Sequence, residues 1–371
     1  MSKIRLSDVP GTPLPSPKKA QGEQKFLPML HGKATDAMAQ MNSRDAQINP
    51  ITGNATITNG DVKLAVQKFK ELGGTLGINT HKLLSVGIAA FAAQNHVGGN
   101  GKHLECKVSI PFKEYALRCG YDLVERETST PEEAEAEKKR LSNLEKDAKK
   151  KFKKYLDVLH STELTWKETV KGKEGDFANV SIIGTRAIKG GHILFAFDPV
   201  FAEYLIRLPL TQYPVALLGV DARNSNAYSI GLKMSEYYHI DRNQTMGRAD
   251  RLSILSLLAC TSLPSIDDVR ANKKDWCERI KEPFEKALDT LTHCGLLADW
   301  QYTREKAKPL TDKEAAEITT YEAWSKLYVH FTLMDAPDQT ARLEAKREKV
   351  AGRKKQASKR KPREKKGEDP V

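Results

Sequence analysis

Few residues of this 371-residue sequence have the types and spacing that catalysis requires. Tyr237, Tyr238 and His239 could pair a tyrosine nucleophile with a metal ligand, as enzymes that nick DNA do. Such enzymes hold the metal with a His-hydrophobic-His pair, and the nine histidines of the sequence include no such pair. We therefore interpret these residues as the tyrosine-rich end of a helix, and a nickase is the least favoured alternative.

A second segment, VGGNGKHL at 97–104, superficially matches a phosphate-binding loop. That loop requires glycine six residues before Lys102 and serine or threonine directly after it, and histidines occupy both positions. The paired acids Glu132 and Glu133 stand at a helix start, where the positive helix terminus favours carboxylates. The sequence therefore predicts a protein that is not an enzyme and that needs no cofactor or metal.

Cysteine usage and hydropathy indicate the compartment. The five cysteines are widely spaced and odd in number, without a C-x-x-C pair, so we expect reduced thiols that mostly pack. The longest nearly uncharged apolar stretch, 86–93, is far shorter than the roughly 20 residues that span a bilayer. The first 25 residues lack the apolar stretch of a secretory signal. We expect a cytoplasmic protein with no membrane contact.

Basic charge is concentrated at one end of the chain. Residues 341–371 contain 13 Lys and Arg against 5 Asp and Glu, which accounts for +8 of the formal net charge of +12. A basic tail on a nearly balanced body indicates a polyanionic partner, with nucleic acid the foremost candidate. A nonspecific binder driven by the tail alone is one alternative.

The length suggests about two folded domains. Four prolines among polar residues predict a disordered leader, and loss of aromatic and aliphatic residues predicts a disordered tail. The predicted organisation is a leader at 1–25, a first domain at 26–220, a second at 221–340 and a basic tail at 341–371.

Local patterns predict the same order of elements in both domains. In the first they predict helices at 61–72, from Thr80 to 95, at 111–120 and a long one after Thr130, with a strand at 104–110 and three strands over 164–197 that include a hairpin turn at 189–191. In the second they predict helices at 251–260, 266–271 and 282–294, with strands at 296–302 and 324–334. Trp166 and Trp300 each stand on the first strand after the long helix, which suggests an internal duplication.

A winged helix consists of three helices followed by a β-hairpin. Its third helix enters the DNA major groove, and the hairpin flanks that helix. The predicted fold is therefore α+β, with two tandem winged-helix domains. The candidate DNA-binding residues are the basic ones of each third helix and hairpin. They are Lys149, Lys150, Lys151, Lys153, Lys154, Arg186 and Lys189 in the first domain, and Lys273, Lys274, Arg279, Lys281, Lys286, Arg304, Lys306 and Lys308 in the second.

The sequence over about residues 60–335 resembles the tandem winged-helix replication initiators of bacterial plasmids and integrative elements, the replication initiator protein A-like family. The segments that carry the resemblance are INTHKLLSVGIAAFAAQN, VSIPFKEYALRCGYD, FAFDPVFAEYLIRLPLTQYP, NAYSIGLKMSEYYHI, LSILSLLACTSLPSIDDV and WCERIKEPFEKALDTLTHCGLLADW. The resemblance implies binding to repeated origin sites on double-stranded DNA, opening of an adjacent A/T-rich segment and recruitment of host replication proteins. It leaves open whether the chain forms a homodimer.

Two departures from the family pattern bear on the docking of the helices. An acidic segment, Glu132 to Glu137, lengthens the first long helix and should point away from DNA, since it would repel phosphate. Pro283 interrupts the second long helix, which makes Lys286 a better candidate than Lys273. A transcriptional repressor with the same fold, which never opens DNA, is the main alternative function.

Overall fold

The structure of the chain is a computed structural model that describes residues 26–30, 32–40, 47–69, 77–97, 104–170, 173–240, 243–244, 246–304, 310–311, 313–314 and 317–334. The predicted leader and basic tail lie outside these residues. Helices and small antiparallel sheets are combined in the described part, which confirms the α+β class. None of the described helices is both long and apolar enough to cross a bilayer.

The α-helices of the described residues are numbered in chain order. They are α1 (Lys33–Gln40), α2 (Ile78–Ala92), α3 (Phe112–Arg118), α4 (Pro131–His160), α5 (Pro199–Leu205), α6 (Ser225–His239), α7 (Ile254–Leu258), α8 (Ile266–Ala271), α9 (Glu282–His293) and α10 (Tyr321–Trp324). Shorter turns of 3-10 and π type lie at Val215–Gly219, Ala93–Val97 and Cys277–Lys281.

The strands of the described residues form four antiparallel sheets. They are β1 (Phe26–Leu30), β2 (Gln47–Ile48), β3 (Ala55–Asn59), β4 (Val62–Val66), β5 (Lys107–Pro111), β6 (Thr162–Val170), β7 (Lys173–Ser181), β8 (Ile183–Lys189), β9 (His192–Phe197), β10 (Leu210–Pro214), β11 (Arg251–Ser253), β12 (Leu297–Thr303) and β13 (Tyr328–Leu333). The sheet orders are β1-β10, β2-β3-β4-β6-β7, β5-β9-β8 and β11-β13-β12.

The two three-stranded sheets have the same topology. In each, the strand that comes last in the sequence lies in the middle, between the strand that precedes the helices and the first strand of the closing hairpin. The first sheet follows the order α2, β5, α3, α4 and hairpin β8–β9, with hairpin β6–β7 inserted after α4. The second follows α6, β11, α7, α8 and α9, and it ends with the antiparallel pair β12–β13, whose connection contains α10. As a result α4 contacts β8, and α9 contacts β12.

The predicted helix over 61–72 is wrong over 61–69, the part that the structure describes, because this segment contains strand β4. Val62, Leu64 and Val66 are buried and Lys63 is exposed, which is the alternation of a strand with one covered face. Strand β4 pairs with β3 through a tight turn in which Gly60 has a φ of +57°. Asn59 pairs with Val62, so the two-residue turn is Gly60-Asp61, and glycine at its first position is the signal that indicates a hairpin here.

Helix α2 lies in the core, as its apolar sequence predicts, with every residue buried except Asn79. Its start differs from the prediction: Gly77 is the N-cap and Thr80 lies inside the first turn. Among buried groups, Lys82 is unusual, since its Nζ donates hydrogen bonds to the carbonyl oxygens of Leu218, at 2.9 Å, and of Val220. Burial lowers the pKa of this lysine.

A polar contact also crosses the predicted domain boundary at residue 220. His81 Nδ1 and the Tyr228 hydroxyl share a buried hydrogen bond of 2.6 Å, and Tyr213 lies 3.2 Å from the same hydroxyl. Burial lowers the pKa of His81 to about 4. Helix α2 and helix α6 are therefore joined by buried polar groups as well as by the continuous apolar core.

In the second half, the predicted helix over 251–260 is shorter than expected. Residues Arg251–Ser253 form strand β11, which pairs with β13, and the helix proper is the five-residue α7, capped by Ser253. The long buried helix of this half is instead α6, whose residues Ala227, Tyr228 and Met234 are buried. The sequence indicated only the end of α6, at its tyrosine pair. Pairing with β13, about 75 residues away in sequence, decides the conformation of 251–253.

Candidate nucleic-acid interface

Helix α4 begins and runs as its sequence predicts. The Thr130 side chain accepts a hydrogen bond from the backbone N–H of Glu133, whose carboxylate accepts one from the backbone N–H of Thr130 in return. This reciprocal capping satisfies two N–H groups that a helix start leaves unpaired. Pro131 occupies the first turn, where its missing N–H costs nothing. The helix continues without interruption for 30 residues.

The last three turns of α4 carry the predicted basic cluster. Ala148, Phe152 and Leu156 are buried at steps of four, and Phe152 packs on the rings of Phe112 and Tyr121. Because one face of the helix is anchored in this way, the intervening lysines stay in solvent. All five of them are exposed: Lys149, Lys150, Lys151, Lys153 and Lys154.

Three of these lysines line an open groove between α4 and the hairpin strand β8. The groove has a volume of about 610 Å³ and its basic lining consists of Lys149, Lys150, Lys153 and Arg186. Its apolar lining includes Leu156, and Ala187 and Ile188 of β8 complete the wall. Helix and hairpin thus present one continuous basic concavity, which we call the α4–β8 groove.

The basic residues of the first unit differ in their partners. Lys149 forms an exposed ion pair of 2.5 Å with Glu145 and lies 5.5 Å from the Phe112 ring. Lys151 points elsewhere, with its Nζ 5.3 Å from the Tyr121 ring. Among the described residues, Lys150, Lys153 and Lys154 have no ion-pair partner. Their charges are therefore available to an external anion.

The hairpin that borders the groove has the predicted turn. Gly190 and Gly191 adopt φ values of +61° and +74°, which glycine reaches without steric cost, and Lys189 is exposed at the start of the turn. Arg186, in the middle of β8, is engaged: its Nε lies 2.6 Å from Asp157 Oδ1 on α4. The structure therefore brings Arg186 to the groove but gives it an intramolecular partner, which sequence patterns did not indicate.

The acidic start of α4 is well separated from the basic end. Glu133 and Lys150 are 17 positions apart, which is about 25 Å along a helix. Near the start, Arg140 forms hydrogen bonds of 2.7 Å to Glu137 and 2.9 Å to Asp122. The Arg140 guanidinium lowers the pKa of Glu137 to about 2, so this carboxyl is ionised at neutral pH.

The second unit has a smaller groove of mixed charge. Lys274 and Arg279 line a concavity of about 270 Å³ together with the carboxylates of Asp268 and Glu278. Lys273 sits in the turn after α8 with a φ of +51° and is exposed. Opposite charges alternate here, in contrast to the α4–β8 groove.

The remaining basic residues of the second unit are spread over α9 and its hairpin. Pro283 lies in the first turn of α9, directly after the π-type turn, so it starts this helix and does not break it. Lys281 lies 3.9 Å from Glu285, whereas Lys286 is exposed. Arg304 is exposed at the end of β12. Lys306 and Lys308 lie outside the described residues.

The two third helices differ in charge. Residues 149–160 carry five lysines and one aspartate, whereas residues 277–293 carry three basic residues and four carboxylates. Positive charge is therefore concentrated in the third helix of the first unit. A near-neutral helix can still bind through hydrogen bonds and apolar contacts to base edges.

Of the residues considered for catalysis, the tyrosine pair and His239 lie in a helix, and residues 98–103 of the loop-like segment lie outside the described residues. Tyr237, Tyr238 and His239 form the last turn of α6, in agreement with their interpretation as a helix end. His239 Nδ1 lies 2.7 Å from the carbonyl oxygen of Ser235. Within the described part of the chain, no group of three or more His, Cys, Asp or Glu side chains could hold a metal ion. The five cysteines are unpaired, and burial raises the pKa of Cys260 to about 12.

Comparison with known proteins adds no assignment to this geometry: no family model matches the sequence, and no curated protein gives a significant match.

Proposed function

We propose that this protein is a sequence-specific DNA-binding replication initiator built from two winged-helix units. The order helix, strand, helices and hairpin occurs twice, with the same sheet order each time, and supports two units of this kind. In the proposal α4 and α9 are the DNA-reading helices, and hairpins β8–β9 and β12–β13 are the wings. The two units correspond to the domains 26–220 and 221–340.

The single observation that carries the proposal is the α4–β8 groove. A major groove about 12 Å wide admits one α-helix, and a hairpin beside that helix reaches the flanking backbone. Lys150 and Lys153 line the groove without an ion-pair partner among the described residues, and Lys189 stands at the hairpin turn. This combination supports a helix in the major groove with lysines on the phosphates at either side.

The unequal charge of the two units suggests that they contact DNA in different ways. The first unit supplies most of the phosphate contacts, and therefore most of the salt-dependent affinity. The second unit supplies fewer phosphate contacts and contributes more through base edges. Two units in tandem would contact successive turns of one DNA face, about 34 Å apart.

Initiation, as distinct from repression, rests on the family resemblance. In this proposal the protein acts in the bacterial cytoplasm, binds repeated origin sites, opens an A/T-rich segment and recruits host replication proteins. The repressor alternative predicts the same DNA contacts without strand opening.

The first experiment is selection of duplexes from a random-sequence pool by the full chain, followed by titration at two salt concentrations. We expect the selected duplex to bind about a thousandfold or more tightly than a shuffled duplex of equal composition. Equal and steeply salt-dependent binding to both duplexes would contradict sequence-specific function. A chain that lacks residues 341–371 is the matched control, because a binder driven by the tail would lose nearly all its affinity.

A second experiment separates initiation from repression. The selected sites are placed beside an A/T-rich segment in a supercoiled plasmid, and unpaired thymines are detected with permanganate. An initiator makes the A/T-rich segment reactive, and a repressor leaves it unreactive. Incubation of the same plasmid with Mg²⁺ or Mn²⁺ tests for nicking, with Tyr237→Phe and Tyr238→Phe as controls.

A further inference from the structure

In the first unit, a carboxylate ties the third helix to the hairpin. Asp157 lies three residues before the end of α4, and its Oδ1 is 2.6 Å from Arg186 Nε in the middle of β8. The two side chains are 24% and 30% exposed, so this pair is better shielded than the Lys149–Glu145 pair on the same helix. Both residues line the α4–β8 groove.

The second unit has a corresponding contact. Asp289 lies four residues before the end of α9, and its Oδ1 accepts a hydrogen bond of 3.0 Å from Trp300 Nε1 on β12. In both units, therefore, an aspartate in the last turns of the third helix accepts from the first strand of the hairpin. The donors are a guanidinium and an indole, so the connection is the same although the chemistry of the donor differs.

Neither aspartate is placed where general electrostatics would favour it. The negative end of the helix dipole disfavours carboxylates in the last turns of a helix. In the α4–β8 groove, Asp157 also opposes the phosphate that Lys150 and Lys153 would attract. The hydrogen bond from the hairpin to each aspartate offsets these unfavourable interactions.

We propose that Asp157 and Asp289 are positioning residues that hold each hairpin against its third helix, so that both meet DNA in a fixed geometry. This inference rests on the proposed DNA-binding function. In this arrangement the main partner of the Arg186 guanidinium is the Asp157 carboxylate, and a DNA phosphate is secondary. A hairpin ordered in advance loses less conformational freedom on binding, and a fixed spacing between helix and hairpin fits one register of the duplex better than others.

A charge swap tests the first pair. Asp157→Arg and Arg186→Asp each break the contact, and the double variant restores it with the net charge of the wild type. The full chain is titrated with a duplex selected by the wild type and with its shuffled counterpart. We expect each single variant to lower the ratio of the two affinities at least tenfold, and the double variant to return it to within about threefold of wild type.

The second pair is tested by variants that keep or remove one of the two hydrogen-bonding groups. Asp289→Asn keeps the acceptor oxygen, whereas Asp289→Ala removes it and Trp300→Phe removes the N–H donor. We expect the asparagine variant to retain specificity and the other two to lose it. Hydroxyl-radical footprints should lose the protection of the backbone flanking the site while the central protection stays, a pattern that general unfolding would not produce.

The outcomes separate this inference from the function on which it rests. A wild-type chain that does not distinguish the selected from the shuffled duplex contradicts the proposed function. A wild type that does distinguish them, with single variants of unchanged ratio or a swap that restores nothing, overturns the positioning role alone. Should Asp157→Arg fail to fold, the second pair still decides the matter through Asp289→Asn and Asp289→Ala, since Asp289 is exposed and Trp300 is only partly buried.

Discussion

Neutralising Lys150 and Lys153 should remove a measurable share of the salt dependence of DNA binding. Both residues line the α4–β8 groove, and neither has an ion-pair partner among the described residues. Each phosphate contact contributes about 0.9 to the slope of log K against log salt. The double variant Lys150→Gln, Lys153→Gln should therefore lower the slope by about 1.8, so its loss of affinity should be about 12-fold greater at 50 mM than at 200 mM salt.

The same helix supplies a matched control. Lys138 and Lys139 are exposed on α4, and Lys139 lies 11 positions before Lys150, about 16 Å along the helix. That separation exceeds the screening length of about 8 Å at physiological salt. Lys138→Gln, Lys139→Gln changes the net charge by the same amount and should leave the slope close to that of the wild type.

The measurement is a set of equilibrium titrations of the selected duplex at four or more salt concentrations. Thermal unfolding of each variant checks the fold, and exposed substitutions of this kind should change the free energy of unfolding by less than about 0.5 kcal/mol. An unchanged slope for the groove variant would refute the docking of α4. An equal fall in the control would show that overall charge, and not the groove, drives binding.

Three further predictions concern the scaffold that holds this interface. Thr130→Ala removes the side-chain half of the α4 cap and should cost about 1 kcal/mol, measured by urea unfolding and by faster amide exchange in the first turn, with Ser129→Ala as control. Burial lowers the pKa of His81 from 6.5 to about 4, so the unfolded chain binds one more proton between these values; stability should fall by up to about 3 kcal/mol as pH drops from 6.5 to 4. A His81→Phe variant should lack that part of the pH dependence in urea titrations, and an identical profile would contradict it. Gly190→Ala places a Cβ at a φ of +61° and should destabilise the β8–β9 hairpin by about 1 kcal/mol, seen as a lower unfolding midpoint, whereas Gly184→Ala should cost less because Gly184 does not have positive φ.

Sequence patterns were reliable where the interactions that form an element lie within a few residues. The start of α4 depends on Thr130, Pro131 and Glu133, which are adjacent in the chain, and the hairpin turn depends on Gly190 and Gly191. Helix α9 likewise follows from apolar residues at helical spacing, all of which are buried. In these cases the residues that stabilise the element are the same ones that indicate it.

The failures occurred where two local patterns compete. Residues 61–72 contain apolar residues compatible with a helix, but Val62, Leu64 and Val66 also alternate as in a strand. The partners β3 and β6 resolve the choice, since they supply backbone hydrogen bonds on both edges of β4. Arg251–Ser253 is a similar case, because its strand conformation depends on β13.

By itself, the sequence determined the helix caps, the hairpin turn, the apolar faces and the concentration of lysines at the end of α4, because each arises from neighbours within a turn or two. Tertiary structure alone decided that Lys150 and Lys153 share a groove with β8, that Asp157 meets Arg186, and that Lys82 is buried against carbonyl groups about 136 residues away. Such contacts depend on how distant segments pack. Local preferences carry no information on that packing, since a lysine or an aspartate is compatible with solvent, an ion pair or a buried hydrogen bond until its neighbours are in place.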